Sequence, residues 1–160
     1  MAGRLLLLGN EAIARGLVEA GCAVATSYPG TPASEILSAV ARWKAETSAP
    51  MHVAWSVNEK VAFETAYAAS ISGLRAAVSM KQVGLNVASD PFFSAAYLGV
   101  TGGFLVVSAD DPGPHSSQTE QDSRRMAAMA KVPVLDPVSP RDARELVAPA
   151  FALSEAFGSP

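Results

Sequence analysis

Cysteine is almost absent from this sequence, since Cys22 is the only one among 160 residues. A single thiol cannot form an internal disulfide, and it is too little for a thiolate-held zinc site or an iron–sulfur cluster. Any redox metal that works with this chain is therefore expected outside it.

Long apolar runs and an excess of positive charge are also missing. The apolar run at residues 5–8 is too short for a signal-peptide core or a membrane span. The 12 Lys and Arg residues are outnumbered by 15 Asp and Glu, and they are scattered along the chain. We therefore expect a cytoplasmic protein with no nucleic-acid or membrane partner.

Common catalytic and nucleotide-binding motifs are missing as well. No Gly-x-Gly-x-x-Gly follows a predicted strand, and there is no Gly-x-x-x-x-Gly-Lys-Ser/Thr. His-Glu-x-x-His and Gly-x-Ser-x-Gly do not occur either. The sequence thus lacks the signatures of dinucleotide-binding proteins, P-loop enzymes, metalloproteases and α/β-hydrolases.

Small aliphatic residues dominate instead, with 49% hydrophobic residues but only 7% aromatic ones. Apolar strands alternate with helical patterns, which predicts an α/β fold: a doubly wound parallel sheet flanked by helices. The predicted strands are residues 22–27, 51–55, 75–80, 104–109 and 132–135. The predicted helices cover residues 11–20, 32–44, 59–71, a segment from 83 broken near 90, a segment that follows the Ser117 cap and runs to 131, and 140–157.

Polar residues at the predicted helix starts suggest where each helix is capped. Asn10, Thr31 and Asn58 precede helical patterns, and Pro32 suits a first helical turn. Residues 117–120 (Ser-Gln-Thr-Glu) fit a capping box, and Ser139 followed by proline fits the start of the final helix.

In open parallel sheets, ligands bind beyond the carboxyl ends of the strands. The loops expected there are residues 27–32, 55–59, 80–86 and 108–120. Glu59 is the first candidate, although an acidic residue in a first helical turn is also favoured by the helix dipole. The other candidates are Gln82 and Asn86 around a glycine, which also fit a turn and a cap, and His115, which also fits a solvated surface.

Four segments resemble one known family. They are "SYPGTPASEI", "NEKVAFETAYAAS", "MKQVGLNVASDP" and "SADDPGPHSSQTEQDSR", in this order and spacing. The resemblance is to the amino-terminal region of the large subunit of indolepyruvate ferredoxin oxidoreductases. These are thiamine-diphosphate-dependent members of the 2-oxoacid:acceptor oxidoreductases, and the resemblance covers almost the whole chain.

The resemblance implies that residues 1–160 form a single pyrimidine-binding domain. Glu59 then matches the carboxylic acid that hydrogen-bonds N1′ of the cofactor's aminopyrimidine. A proton shared with N1′ favours the imino tautomer, whose N4′ can remove the thiazolium C2 proton. The cofactor serves as the electron sink, and the protein orients it.

Other site residues follow from the same resemblance. Thr31 matches a threonine beside substrate and pyrimidine, so its hydroxyl serves either the ligand or its own helix. Gln82, Gly84 and Asn86 are implied on the pyrimidine side. His115 is implied as an acid, a base or a partner of the substrate carboxylate.

The resemblance also implies that other domains and subunits supply part of the enzyme. It contains no Gly-Asp-Gly segment, so Mg²⁺, the diphosphate and the iron–sulfur clusters are expected on other domains, and no metal site is expected here. The expected partners are a diphosphate-binding domain, a smaller beta subunit, ferredoxin, coenzyme A and further copies in an oligomer. The closing "AFGSP" stops where a strand is due, so we expect the amino-terminal part of a longer chain, lacking its last strand, or a chain that a partner completes.

The implied reaction is oxidative decarboxylation of aryl pyruvates to acyl-CoA, with electrons passed to ferredoxin. The 160-residue chain alone is expected to be inactive. Two alternatives stay open at this point: a pyrimidine-domain subunit of a non-oxidative keto-acid decarboxylase, such as sulfopyruvate decarboxylase, and a non-catalytic structural module.

Overall fold

One parallel sheet organises the computed structural model, which describes residues 5–160. Its strands are β1 (Val24–Ser27), β2 (His52–Trp55), β3 (Ala76–Lys81) and β4 (Phe104–Ala109), in the spatial order β2-β1-β3-β4. All the strand pairs are parallel. The chain moves outward from β1 to β2 and then crosses back to β3, so the strand order reverses between β1 and β3.

Helices connect the strands and cover both faces of the sheet. They are α1 (Gly9–Glu19), α2 (Ser34–Thr47), α3 (Glu59–Ile71), α4 (Gln82–Val87), α5 (Ser89–Leu98), α6 (Ser123–Ala130), α7 (Pro140–Glu145) and α8 (Val147–Phe157). The predicted doubly wound α/β architecture is confirmed.

The sheet separates two apolar cores. On one face, Leu17, Val40 and Phe151 belong to a cluster built from α1, α2 and α8. On the other face, Phe63 of α3 is fully buried and packs edge-on against Phe104 of β4, with 5.0 Å between ring centroids. Burial of apolar surface on both faces supplies the main driving force for this layered fold.

Small residues let the layers approach closely. Gly16 of α1 faces α8, where a Cβ on residue 16 would lie 2.7 Å from Cγ2 of Val147. Any larger residue at this position would therefore force the two helices apart.

Arg75 joins several elements at the amino end of the sheet. Its guanidinium donates to both carboxylate oxygens of Glu155 at 2.6 and 2.8 Å. It also donates to the Ala20 carbonyl at 2.9 Å and lies over the Phe151 ring. A two-pronged arginine–carboxylate pair fixes geometry better than a single ion pair does, so Arg75 ties α1 and α8 to the start of β3.

The predicted helix caps have mixed outcomes. Asn58 caps α3 by accepting a hydrogen bond from the Val61 N–H, and Ser139 caps α7 in the same way, so both predictions are confirmed. The Asn10 cap is wrong because α1 begins one residue earlier, at Gly9. The Asn10 amide donates instead to the Pro32 carbonyl at 2.6 Å, a tertiary contact that local sequence does not reveal.

Two further predictions are wrong in the second half of the chain. Helix α6 begins at Ser123 with Asp122 as its cap, so residues 117–120 form no capping box. Residues 132–135 are not a strand, and Val134 and Leu135 are 45% and 44% exposed. β4 is an edge strand of the described sheet, and residues 132–135 do not pair with its open edge.

The remaining helical boundaries also differ from the prediction. The break in the segment from residue 83 falls at Ala88, with Pro91 inside the first turn of α5, and the predicted final helix divides at Leu146 into α7 and α8. None of the helices within residues 5–160 has the length and apolar character that crossing a bilayer requires.

Candidate functional site

The carboxyl ends of all four strands lie at one edge of the sheet, and the loops that follow them form the candidate site. The strand order reverses between β1 and β3, and the space between their loops at this edge, called the crevice below, is the usual ligand position in open α/β sheets. The four loops predicted from the sequence all begin there, which confirms their placement.

Thr31 lies in the loop after β1, and its predicted cap role is wrong. Helix α2 begins at Ser34, whose hydroxyl accepts a hydrogen bond from the Gly30 N–H at 2.8 Å. Ser34, and not Thr31, therefore makes the side-chain hydrogen bond to the backbone at the start of this helix. The Thr31–Pro32 peptide bond is cis. The Thr31 side chain is exposed, and its hydroxyl makes no hydrogen bond to any residue that the structure describes.

Glu59 is the first residue of α3, and the Asn58 cap fixes that helical turn. Its half-buried side chain lies against Gly84 of α4, where a Cβ would come within 2.8 Å of a Glu59 carboxylate oxygen. Within residues 5–160 the Glu59 carboxyl has no hydrogen-bond or salt-bridge partner. The fold therefore places the half-buried Glu59 carboxyl group against the Gly84 backbone, and the carboxyl oxygens can still bind a ligand.

The start of α4 anchors the loop of residues 110–122. Gln82 is fully buried, and its Nε2 donates to the Thr119 carbonyl at 2.9 Å. The Gln82 Oε1 is buried with no partner in the described chain. Since a buried unpaired acceptor is unfavourable, this oxygen is suited to a donor that a ligand would bring. Asn86, one turn further on, is exposed.

Two aspartates give the 110–122 loop its shape. The buried Asp111 carboxylate accepts the N–H groups of Ser116 and Ser117, each at 2.9 Å. These backbone hydrogen bonds lower the pKa of Asp111 to about 2. Asp110 accepts the Ser123 N–H at 2.9 Å and so closes the base of the loop.

His115 lies on the exposed side of this loop. Its imidazole forms no hydrogen bond and no ion pair with the residues that the structure describes. The structure therefore brings Glu59 and Gly84 together, but it does not join His115 to them.

Lys81, which sequence reasoning missed, lies beside the crevice. It is the last residue of β3, and its stem packs on Gly30, where a Cβ would lie 3.0 Å from the Lys81 Cδ. The Lys81 ammonium group donates to the Gln118 side-chain oxygen at 2.9 Å. The available signal was a lysine placed directly after the buried strand segment that ends in Met80.

Polar contacts therefore connect the loops around the crevice. Lys81 links the β1 loop to the 110–122 loop, and the Ser117 hydroxyl adds a 3.5 Å contact to the Thr31 carbonyl. A carboxyl group, a hydroxyl group and an ammonium group share one edge, so this surface can bind a ligand through both donors and acceptors. Among the described residues, no group of three or more His, Cys, Asp or Glu could hold a metal ion.

An open parallel α/β sheet with polar loops at its switch point is typical of ligand-binding α/β domains. Residues 15–160 match the family model described as pyruvate flavodoxin/ferredoxin oxidoreductase, thiamine-diphosphate-binding. The chain belongs to this family of thiamine-diphosphate-binding domains.

Two curated relatives are more than half identical to this chain in sequence. The chain is 55% identical over 157 residues to indolepyruvate oxidoreductase subunit IorA of Thermococcus kodakarensis, covering 96% of this chain and 24% of that protein. It is 51% identical over 163 residues to the subunit of the same name from Archaeoglobus fulgidus, covering 98% of this chain and 26% of that protein. The chain thus spans about a quarter of the length of the curated relatives it matches.

A solved structure supports the fold. The 2-oxoglutarate:ferredoxin oxidoreductase of Magnetococcus marinus, with 2-oxoglutarate, coenzyme A and succinyl-CoA bound, superposes with a TM-score of 0.80. The match covers 98% of this chain and 28% of that one at 20% sequence identity, so it confirms the predicted domain fold.

Proposed function

We propose that this domain supplies the pyrimidine side of a thiamine diphosphate site in an enzyme that oxidatively decarboxylates aryl pyruvates. The products are acyl-CoA and carbon dioxide, and the electrons pass to ferredoxin. The names of the relatives that are 50–55% identical support the indolepyruvate-type substrate. The name of the solved neighbour supports a 2-oxoacid and ferredoxin.

The placement of Glu59 carries the proposal. Its carboxyl group is half-buried, rests on Gly84 and has no partner within residues 5–160. A planar aminopyrimidine ring fits such a site, because its N1′ can share a proton with the carboxyl and its amino group can donate to the buried Gln82 Oε1. Once bound, the cofactor supplies the electron sink for loss of the substrate carboxylate.

Glu59 has the catalytic role in this proposal. It holds a proton at N1′ and so determines which tautomer of the ring is present. Gln82, Gly84 and Asn86 bind the pyrimidine side, Gly84 by leaving room for the Glu59 side chain. The Thr31 hydroxyl, which caps no helix, contacts the substrate.

His115 is proposed as an acid, a base or a partner of the substrate carboxylate in the same site. It is exposed and lies on the loop that Asp111 shapes. The loop therefore determines where the imidazole is placed.

Other domains complete the enzyme in this proposal. Mg²⁺, the diphosphate group and the iron–sulfur clusters lie outside residues 1–160, which fits the single, buried Cys22. A diphosphate-binding domain, a smaller beta subunit, ferredoxin and coenzyme A are the proposed partners in an oligomer.

Residues 1–160 are then the amino-terminal pyrimidine-binding part of a longer chain, and the open edge of β4 is consistent with one more strand. A cytoplasmic location is proposed with these partners, because coenzyme A and ferredoxin are found there.

The test is Glu59→Gln in the assembled enzyme. The amide cannot share a proton with N1′, so deuterium exchange at C2 of the bound cofactor should slow by about 100-fold or more, the size of general acid–base effects. Aryl pyruvate oxidation should fall in parallel, while thiamine diphosphate still binds. Glu64→Gln is the matched control, because Glu64 lies on the same helix and is exposed.

Near-normal exchange and turnover in Glu59→Gln would mean that the domain is structural. Formation of aldehyde without coenzyme A or an electron acceptor would identify a non-oxidative decarboxylase. Oxidation of aryl pyruvate by the isolated 160-residue chain with thiamine diphosphate and Mg²⁺ would also contradict the proposal.

A further inference from the structure

We propose that Lys81 is the cation that binds the carboxylate of the 2-oxoacid substrate. The inference rests on the function proposed above and adds a residue that selects for the acid group. It begins from the position of Lys81, at the end of the β3 strand and beside the crevice between β1 and β3.

The strand register places the Lys81 side chain over the loop that carries Thr31. Ser27, the last residue of β1, pairs with Ser79, so β3 extends two residues beyond β1 at this edge. Side chains alternate along a strand, so Ser79 and Lys81 point to the same face as Ala77, toward α2. The Lys81 stem therefore lies on Gly30, and its ammonium group reaches Gln118 of the 110–122 loop.

Charge pairing sets Lys81 apart from the other cations of these loops. Lys60 pairs with Asp90 at 2.7 Å, and Arg124 pairs with Asp122 and Asp136. Arg125 reaches Asp122 at 3.8 Å. Lys81 forms no salt bridge to any carboxylate within residues 5–160, and its one polar contact is the neutral side chain of Gln118.

This arrangement suits an anionic ligand. An ammonium group has three donors, and Gln118 takes one of them, which leaves donors for a carboxylate. The loops around the crevice carry several carboxylates, among them Glu59 and Asp111, and the chain has a net charge of −3. A substrate acid approaching this edge is repelled unless a cation receives it, and among the described residues of these loops Lys81 is the cation without a carboxylate partner.

The chemistry predicts which kinetic constant depends on Lys81. An ammonium group binds the carboxylate most strongly before carbon dioxide leaves, so its contribution is to substrate binding. Removing the charge should therefore raise KM by about 10- to 100-fold, the size expected for one charge-assisted hydrogen bond, and change kcat little.

The test uses the assembled enzyme with Lys81→Met, which keeps the length and apolar character of the stem. Lys81→Arg keeps the charge and guards against a folding defect in the methionine variant. Lys44→Met is the control, because Lys44 also lacks a salt bridge in the described chain but lies in the last turn of α2, at the opposite end of the sheet.

Matched inhibitors separate carboxylate binding from packing. Indole-3-acetate carries the acid group, and the corresponding alcohol, indole-3-ethanol, lacks it. We expect Lys81→Met to weaken binding of the acid, measured by calorimetry on the thiamine-loaded enzyme, by about 10- to 100-fold. Binding of the alcohol, of thiamine diphosphate and of coenzyme A should stay within about twofold, and Lys81→Arg should recover most of the preference for the acid.

An equal loss for acid and alcohol, or no loss for either, overturns the inference. A loss confined to coenzyme A overturns it as well and assigns Lys81 to a phosphate. If the proposed function itself is wrong, the wild-type enzyme will show neither thiamine-dependent oxidation nor preference for the acid, so the two failures are distinguishable.

Discussion

The Glu59 carboxyl group lies so close to Gly84 that the two residues depend on each other. A Cβ on residue 84 would come within 2.8 Å of both the Glu59 Cγ and a carboxylate oxygen. Gly84→Ala should therefore displace Glu59, although alanine is normally better than glycine in a helix by about 1 kcal/mol. We expect at least about a tenfold loss of thiamine diphosphate affinity in the assembled enzyme, measured by fluorescence titration, since sites tolerate displacements of only about 0.5 Å.

Gly9→Ala is the matched control for that variant. Gly9 is also helical, but apart from its chain neighbours and its own helix, no heavy atom of residues 5–160 lies within 4 Å of the position that its Cβ would take. This substitution should leave cofactor affinity unchanged. Equal affinity in the wild type and Gly84→Ala would show that Glu59 does not rely on the glycine.

The Asn58 cap should contribute to stability as well as to the position of Glu59. Its side chain accepts the Val61 N–H at 2.8 Å, so Asn58→Ala leaves that donor unpaired. We expect the free energy of unfolding in urea to fall by about 1 kcal/mol. Asn58→Asp keeps an acceptor and should lose much less, whereas equal losses in both variants would count against a capping role.

Asp111 should make the 110–122 loop sensitive to acid. Its pKa falls to about 2 in the folded chain, below the ordinary value of ~3.9, so the carboxylate stabilises the loop above ~pH 4. This stabilisation is lost as the pH falls from about 4 toward about 2. Amide exchange measured by NMR should show loss of protection at Ser116 and Ser117 over that range.

Asp111→Asn should weaken the same protection already at neutral pH, because the amide oxygen that takes the place of the charged one is a neutral, weaker acceptor. Asp136→Asn is the control, since Asp136 is exposed and lies outside the loop. Unchanged protection in Asp111→Asn would show that other contacts hold the loop.

The Cys22 thiol should be unreactive while the domain is folded. Burial raises its pKa to about 12, so almost no thiolate is present near pH 8.5. Iodoacetamide should label it only after unfolding in guanidinium chloride, as measured by mass spectrometry. Labelling of the folded protein at the rate of a free thiol would contradict its burial.

The same shift predicts alkaline destabilisation. The unfolded thiol ionises at ~8.5 while the folded thiol stays neutral to about 12, so the free energy of unfolding should decrease as pH rises between these values. Cys22→Ala should lack this part of the pH dependence.

Much of the fold was predictable because its strands are apolar and are separated by clear turn and helix-cap residues. The four observed strands, the parallel sheet and the Asn58 cap are all read from local patterns. Asn10 and Thr31 resemble caps equally well, but tertiary contacts reassign them: Asn10 binds the Pro32 carbonyl, and Ser34 takes the local role at the start of α2. A local pattern gives no indication of such long-range competition.

The site was predictable only in part for a similar reason. Glu59 and Gly84 follow strand ends, and the resemblance pointed to them, but their mutual contact depends on how α3 and α4 pack. Lys81 was missed because a lysine after a strand looks like ordinary solvated charge. Its significance comes from the lack of a carboxylate partner in the described chain, which only the folded structure reveals.

The Arg75 contacts at the amino end of the sheet have a consequence for the free-energy landscape of the domain. That end is held by paired charge-assisted hydrogen bonds between elements far apart in sequence, whereas single bonds, such as those of Gln82 and Lys81, hold the opposite loops. Local opening therefore requires least free energy at the carboxyl edge. The loops over the crevice can separate to admit a ligand while both cores stay closed.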